Sequence, residues 1–215
     1  MNTIYISMDA SPVLTDYLLS KGNHLEFTAS DGIVSEAIAN HPDVFLCKMG
    51  AVDGSPIFFA QREELNRDYP GDSVFNAACT GKYFIHNLSI TSEKLLMAAK
   101  DMEMTLIDVR QGYTKCSTVV VDENSIITYD EGIVKACAPY RDLDVLQIAP
   151  GFVRLDGFDT GFIGGASGRV GNEIIFNGDL FSHPDFNSIV SFIEKRGLVC
   201  RWFADYKLTD IGSIL

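Results

Sequence analysis

The sequence predicts a repeating α/β fold, in which about five short units close into a ring, and three observations support it. First, residues 111–133 (QGYTKCSTVVVDENSIITYDEGI) and 160–181 (TGFIGGASGRVGNEIIFNGDLF) share one design: a glycine–aromatic turn, two short strands around a polar turn, then an acidic helix start. Gly112 aligns with Gly161 and Tyr113 with Phe162. Second, helix, strand, turn and paired strand recur at intervals of roughly 45 residues, a spacing within the range of supersecondary repeats. Third, the tail ends Ser213-Ile214-Leu215, which begins a unit that only the N-terminal strand can complete. Such a ring needs no polar capping repeats.

Residues 3–8 alternate as a strand, and Ser11-Pro12 open a helix carrying Leu14, Leu18 and Leu19, closed by Gly22. A strand is expected at 24–28, a short helix at 33–39 ending before Pro42, and strands at 44–49 and 55–60. The polar stretch 61–72 is expected as a surface turn or ragged helix. Strands at 74–79 and 83–86 flank Gly81, and Thr91 is expected to cap a helix reaching Asp101. A strand at 105–109 leads into the first copy of the repeated design, its Cys116 expected on a strand. A helix (131–140), a strand (145–148) and the second copy follow, then a helix opened by Pro184 and a strand at 199–203.

With 47% hydrophobic residues, the 215-residue chain can bury one core, so residues 1–215 are expected to form a single domain. Its 17 basic and 29 acidic residues give a formal charge of −12, which argues against nucleic acid or an anionic membrane as partner. A small-molecule ligand remains the expected partner class, and the oligomeric state is open. The first residues lack the basic and apolar regions of a secretory leader, and the odd set Cys47, Cys79, Cys116, Cys137 and Cys200 has no CxxC; a cytoplasmic location with free thiols is expected.

The stretch Phe162–Gly168 (FIGGASG) invites a phosphate-loop reading, but a strand follows it where a helix is required. His24, His41, His86 and His183 stand at no metal-ligand spacing, so neither metal nor cofactor is expected; the two His-Pro-Asp strings are explained by proline at an element start. Cys116 is the most interesting thiol, because Lys115 beside it would favour the thiolate, although strand neighbours point to opposite faces. A buried structural cysteine is the simpler expectation. Asp156 and Asp159 sit in a glycine-framed turn. If the units converge on an axis, that turn shares a space with Asn76, Gln111, Thr114 and Asp210, a polar ligand site at the mouth of the ring.

The strings QGYTKCS, GFDTGFIGGASG, HPD with NGDL, and LTDIGSIL resemble a family of uncharacterised bacterial proteins assigned to the guanidine-modifying-enzyme, or pentein, fold. The resemblance spans roughly residues 43–215 and implies a five-bladed α/β propeller, closed by the C-terminal strand. Active penteins act on guanidino or amidino groups with a cysteine nucleophile, a histidine in an H-x-D turn and an acid in an E-G-G-[DN] turn. Here Gly157 stands at the histidine position of Gly157-Phe158-Asp159-Thr160, Gln111 replaces the acid, and Ser213 occupies the region of the nucleophile. The resemblance therefore implies a catalytically silent pentein binding a small cationic or polar metabolite, or a protein partner. The alternative is a hydrolase or transferase acting on guanidino, amidino or related C–N groups, with Cys116 or Ser213 as nucleophile and Asp156 or Asp159 as acid–base.

Overall fold

Short apolar runs, several of them buried on both faces, form the strands, and the computed structural model, which describes residues 2–29 and 32–215, gathers them into five small sheets. β1 (Thr3–Ser7) and β2 (His24–Thr28) run parallel, joined by α1 (Pro12–Ser20), because a parallel pair requires a crossover. Ser11 caps α1 by accepting from the Val13 amide at 3.3 Å, and Leu14 and Leu18 are its buried residues. The single turn α2 (Pro42–Phe45) precedes β3 (Leu46–Lys48), which pairs antiparallel with β4 (Ile57–Phe59).

Three further sheets repeat one plan: an antiparallel hairpin, a helix, then a parallel third strand. In chain order these are β5 (Ala78–Cys79), β6 (Tyr83–His86), α3 (Glu93–Asp101) and β7 (Thr105–Asp108). The single turn α4 (Thr114–Ser117) opens the next, with β8 (Thr118–Asp122), β9 (Ser125–Thr128), α5 (Glu131–Cys137) and β10 (Asp144–Gln147). The last holds β11 (Ser167–Val170), β12 (Glu173–Phe176), α6 (Phe186–Glu194) and β13 (Val199–Arg201).

The first strands of successive sheets meet one another. Cys47 of β3 lies 3.6 Å from Cys79 of β5, sulfur to sulfur, and β8 lies against both β5 and β11. The tail completes the set: Ile214 N donates to Ser167 O at 3.0 Å, while Tyr5 and Leu215 exchange backbone hydrogen bonds of 2.7 and 3.1 Å. The tail thus pairs with the N-terminal strand, as its sequence predicts. Ile211 and Ile214 pack in one apolar cluster with Ile4, Ile6, Leu14, Leu18 and Ile175.

Several elements differ from their sequence expectation. Residues 33–39 hold only a 3₁₀ turn, Glu36–Ile38, and the strand expected at 44–49 begins later because Pro42 starts a helical turn. Residues 61–72 do contain a ragged helix, the 3₁₀ turn Arg62–Glu64 with a Gln61–Glu64 capping box. Thr91 does not cap α3; Ser92 precedes it, and the Thr91 hydroxyl faces His86 Nδ1 at 2.7 Å. Cys116 lies in the helical turn α4 rather than on a strand. Pro184 precedes α6 by two residues, leaving Asp185 as its N-cap residue.

His86 is fully buried, and its Nε2 donates to the Gly112 carbonyl at 2.7 Å. Burial pushes its pKa down from 6.5 to about 4. The unfolded chain therefore binds the extra proton between those values, so acid favours unfolding. Folding stability is expected to fall by on the order of 3 kcal/mol between pH 6.5 and 4 on account of this group, and His86→Gln should flatten that part of a denaturant-derived stability profile. Replacing the 1% exposed Ile214 with alanine should cost about 2–5 kcal/mol by the same measurement, because the tail is part of the core.

Candidate functional site

The segments that lead into the first strands carry the polar residues. Asp43 is the second residue of α2, Asn76 precedes β5, Lys115 and Cys116 lie in α4, and Asp210 and Ser213 belong to the tail. All are buried. Because their sheets adjoin, these side chains meet although they are far apart in the chain.

Asp43 is the hub. Its Oδ2 accepts from Ser213 Oγ at 2.6 Å and from the Cys116 thiol at 3.1 Å. The Lys115 ammonium donates to Ser213 Oγ at 2.9 Å and to the Gly164 carbonyl at 3.4 Å. Asn76 fixes α4 from the other side. Its Oδ1 accepts from Cys116 N at 3.0 Å, and its Nδ2 reaches Cys116 Sγ at 3.2 Å and the Asp43 carbonyl at 3.1 Å. Thr114 Oγ1 closes this part, lying 2.8 Å from both the Asn76 and Ile85 carbonyls with its one proton to share between them.

Asp210 stands beside this network. Its two oxygens accept from Phe162 N at 2.9 Å and Gly212 N at 3.0 Å, and His41 Nδ1 lies 3.9 Å away. A methyl group on Gly165 would collide with the Asp210 carboxylate, and one on Gly212, at φ 72°, with His41, so both glycines permit a close approach. Ser213 is held at φ 77° although it is not glycine, a conformation kept only where the surroundings enforce it.

A cavity of about 240 Å³ opens onto this cluster. Its floor includes His41, Cys116 and Asp210; its walls include Tyr113, Phe162 and Asp72. Tyr113 and Phe162 are the aromatic residues of the two repeated glycine–aromatic turns, and their ring centroids stand 6.3 Å apart. Three buried polar atoms here have no hydrogen-bond partner: His41 Nδ1, Asp72 Oδ1 and, just behind them, Asp43 Oδ1. Unpaired buried atoms of this kind are costly, and at His41 and Asp72 the cavity gives room for water or a ligand to pair with them.

Electrostatics keep the thiol neutral. Burial, then the Asp43 and Asp210 carboxylates, pushes the Cys116 thiol well above its ordinary value. Burial lowers the Lys115 ammonium, with Asp43 opposing, and raises the Asp210 and Asp72 carboxyls. Burial and the neighbouring Asp72 carboxylate push the Tyr113 phenol well up. Lys115 therefore accompanies a protonated thiol rather than an activated thiolate.

Of the residues singled out from the sequence, Asn76, Thr114, Cys116, Asp210 and Ser213 come together. Gln111 turns away: its Nε2 donates to Asp130 Oδ2 at 3.2 Å and its Oε1 accepts from Tyr113 N at 3.0 Å. Asp156 is exposed and bound by Arg154 Nε at 2.8 Å, and Asp159 is exposed on the same turn. That turn reaches the cavity through Leu155, Phe158 and Thr160 instead. His41, Asp43 and Asp72 were not expected here from the sequence; the string His41-Pro42-Asp43, explained there by its proline alone, was the available signal for the first two.

The chain belongs to a family of unknown function, DUF6873, whose model matches residues 54–215. No curated protein matches it. Among solved structures it is similar to an agmatine deiminase from C. jejuni, with 10% identity and a TM-score of 0.48 over 94% of this chain and 87% of that one.

All five cysteines are buried and free. Under native conditions at neutral pH, Cys116 should react with a thiol reagent no faster than the other four, and all five should react after denaturation. Rapid, selective modification of native Cys116 would show an activated thiolate in place of the neutral thiol.

Proposed function

We propose that this chain binds a small organic cation, with an amidinium, guanidinium or similar polar head, in the pocket between Tyr113 and Phe162, and that it does not carry out the hydrolytic chemistry of active penteins. The observation that carries this reading is the unpartnered Asp72 Oδ1 in an aromatic-walled cavity that also holds Asp210, with no lysine or arginine among the described lining residues. A flat cation would supply donors to the carboxylate and stack against the rings, an arrangement favoured by the ring quadrupole. In the same reading, residues 1–215 form one domain whose five sheets are the blades of a pentein propeller closed by the C-terminal segment, working in the cytoplasm without nucleic acid or membrane. The net charge of −12 suits a cationic ligand and disfavours both of those partners.

One observation favours catalysis as a second reading. A His41 ring nitrogen and Cys116 Sγ lie within 4.8 Å of each other at the pocket floor. An arriving cation would ease ionisation of the thiol; Cys116 could then attack the carbon of a C–N group, His41 taking the thiol proton and passing it to the amine as the C–N bond breaks, with water releasing the cysteine adduct. Ser213 suits that role less well, since its hydroxyl is fully buried and already engaged by Asp43 and Lys115.

Calorimetric titration of metal-free protein with acetamidine, methylguanidine and agmatine separates the readings. Binding of at least one probe is expected, without product formation, and Asp72→Asn should weaken it about tenfold or more, the effect of losing a hydrogen bond to a charged group. Turnover of any probe that Cys116→Ser abolishes would establish the catalytic reading instead. The absence of binding by all three cations would end the cation-pocket proposal.

A further inference from the structure

The floor of the pocket has a second property that organic-cation binding does not use. One ring nitrogen of His41, one carboxylate oxygen of Asp43 and Sγ of Cys116 all lie within 4.8 Å of one another. Their residues are 4%, 1% and 4% exposed, so the donors are held in place and shielded from water. We propose that these three side chains form a binding site for a divalent, thiophilic cation of the zinc type, with the fourth coordination position facing the pocket.

The donor set fits that ion. Zinc takes nitrogen, oxygen and sulfur ligands in tetrahedral sites, and three protein ligands with one open position is the arrangement that leaves the metal able to bind something else. Ligand atoms around tetrahedral zinc are about 3–4 Å apart. The Cys116 sulfur already touches the Asp43 carboxylate, Sγ to Oδ2 at 3.1 Å, and the three donors lie within 4.8 Å, so a closure of about 1 Å brings them to that spacing. His41 and Cys116 line the cavity themselves, which gives the ion its route of entry and the open position its direction. The donors are also short of partners: His41 Nδ1 and Asp43 Oδ1 are buried without any hydrogen bond.

Charge and outer contacts agree with the donor set. On metal binding the Cys116 thiol proton, now donated to Asp43, leaves to solvent, and the sulfur binds as thiolate. Asp43, Asp210 and that thiolate then carry three negative charges against the one ammonium of Lys115, and the remainder matches a divalent ion. Asn76 Nδ2 at 3.2 Å from Cys116 Sγ supplies the hydrogen bond that commonly supports a metal thiolate, while Cys116 N on Asn76 Oδ1 holds the backbone. Asp43 Oδ2 is fixed by Ser213, so its other oxygen is free for the ion. Sequence spacing gives no hint of the site because its ligands come from two distant turns.

Cobalt(II) is the probe, since a thiolate–cobalt bond gives a near-ultraviolet charge-transfer band that carboxylate or imidazole ligation alone does not. Titrating the full chain, stripped with a chelator, should produce this band at one equivalent, and zinc should abolish it by displacement. Cys116→Ser should remove the band, and His41→Gln and Asp43→Asn should each weaken cobalt binding at least tenfold. Cys79→Ser should retain the band, which excludes the Cys47–Cys79 pair as its source. Circular dichroism checks that each variant is folded. No band in the wild-type chain, or a band unchanged in folded Cys116→Ser, overturns the proposal. The metal-free calorimetry of the organic cations does not depend on this result, so either proposal can fail while the other stands.

Discussion

The buried carboxylate of Asp43 is the contact on which the centre of the molecule depends. It accepts hydrogen bonds from a tail residue, Ser213, and from α4 through Cys116, and it is the nearest anionic partner of the Lys115–Ser213 chain. Segments 73 and 170 residues further along the chain are thus tied to one carboxylate. A buried ammonium without a counter-charge costs several kcal/mol, on the order of 3–5 when one partner of a buried pair is removed. The backbone reinforces the same junction, with Asp43 N donating to Gly212 O at 3.1 Å and Lys115 N to Asn76 O at 2.9 Å. These polar contacts add to apolar clusters that themselves bridge neighbouring sheets, as where Val119 and Ile127 pack with Ile174 and Phe176.

That arrangement explains why the site combines features that usually exclude each other. A cysteine, a histidine and several carboxylates at the floor of an aromatic cavity have the composition of a catalytic centre. Yet the negative environment that would attract a cation is also what keeps the thiol protonated. The same carboxylates cannot both hold a cation and supply the positive field that a free thiolate needs. A positive charge must arrive from outside, on a ligand or as an ion, before the chemistry of Cys116 changes.

Much of the fold was legible in the sequence because its signals are local. Ser11-Pro12 does start α1, the hairpins of the two repeated copies fall on either side of their polar turns, and the tail does pair with the first strand. The duplicated glycine–aromatic turn also marked two pocket residues, Tyr113 and Phe162, before their role was visible. The site was less legible, for two physical reasons. Its residues are brought together by sheet-to-sheet packing, so His41 and Asp43 share no spacing with Cys116 or Asp210. A single helical turn also hides within an apolar stretch that reads as strand. On a strand Lys115 and Cys116 would face opposite sides; in α4 both are buried, at 8% and 4% exposure. Asp156 and Asp159 show the reverse error, since turn chemistry put them in an exposed loop whose apolar neighbours reach the cavity.

The backbone of Ser213 sets a trap for anyone redesigning this chain for robustness. Its left-handed conformation costs a non-glycine residue on the order of 1–3 kcal/mol, so glycine would be the choice on backbone grounds. That exchange would delete the hydroxyl that bridges the Lys115 ammonium to the Asp43 carboxylate. Local comfort and the integrity of the polar centre pull in opposite directions here. A thermostabilised variant obtained by smoothing such positions would tend to be a quieter protein, with its central electrostatics rearranged.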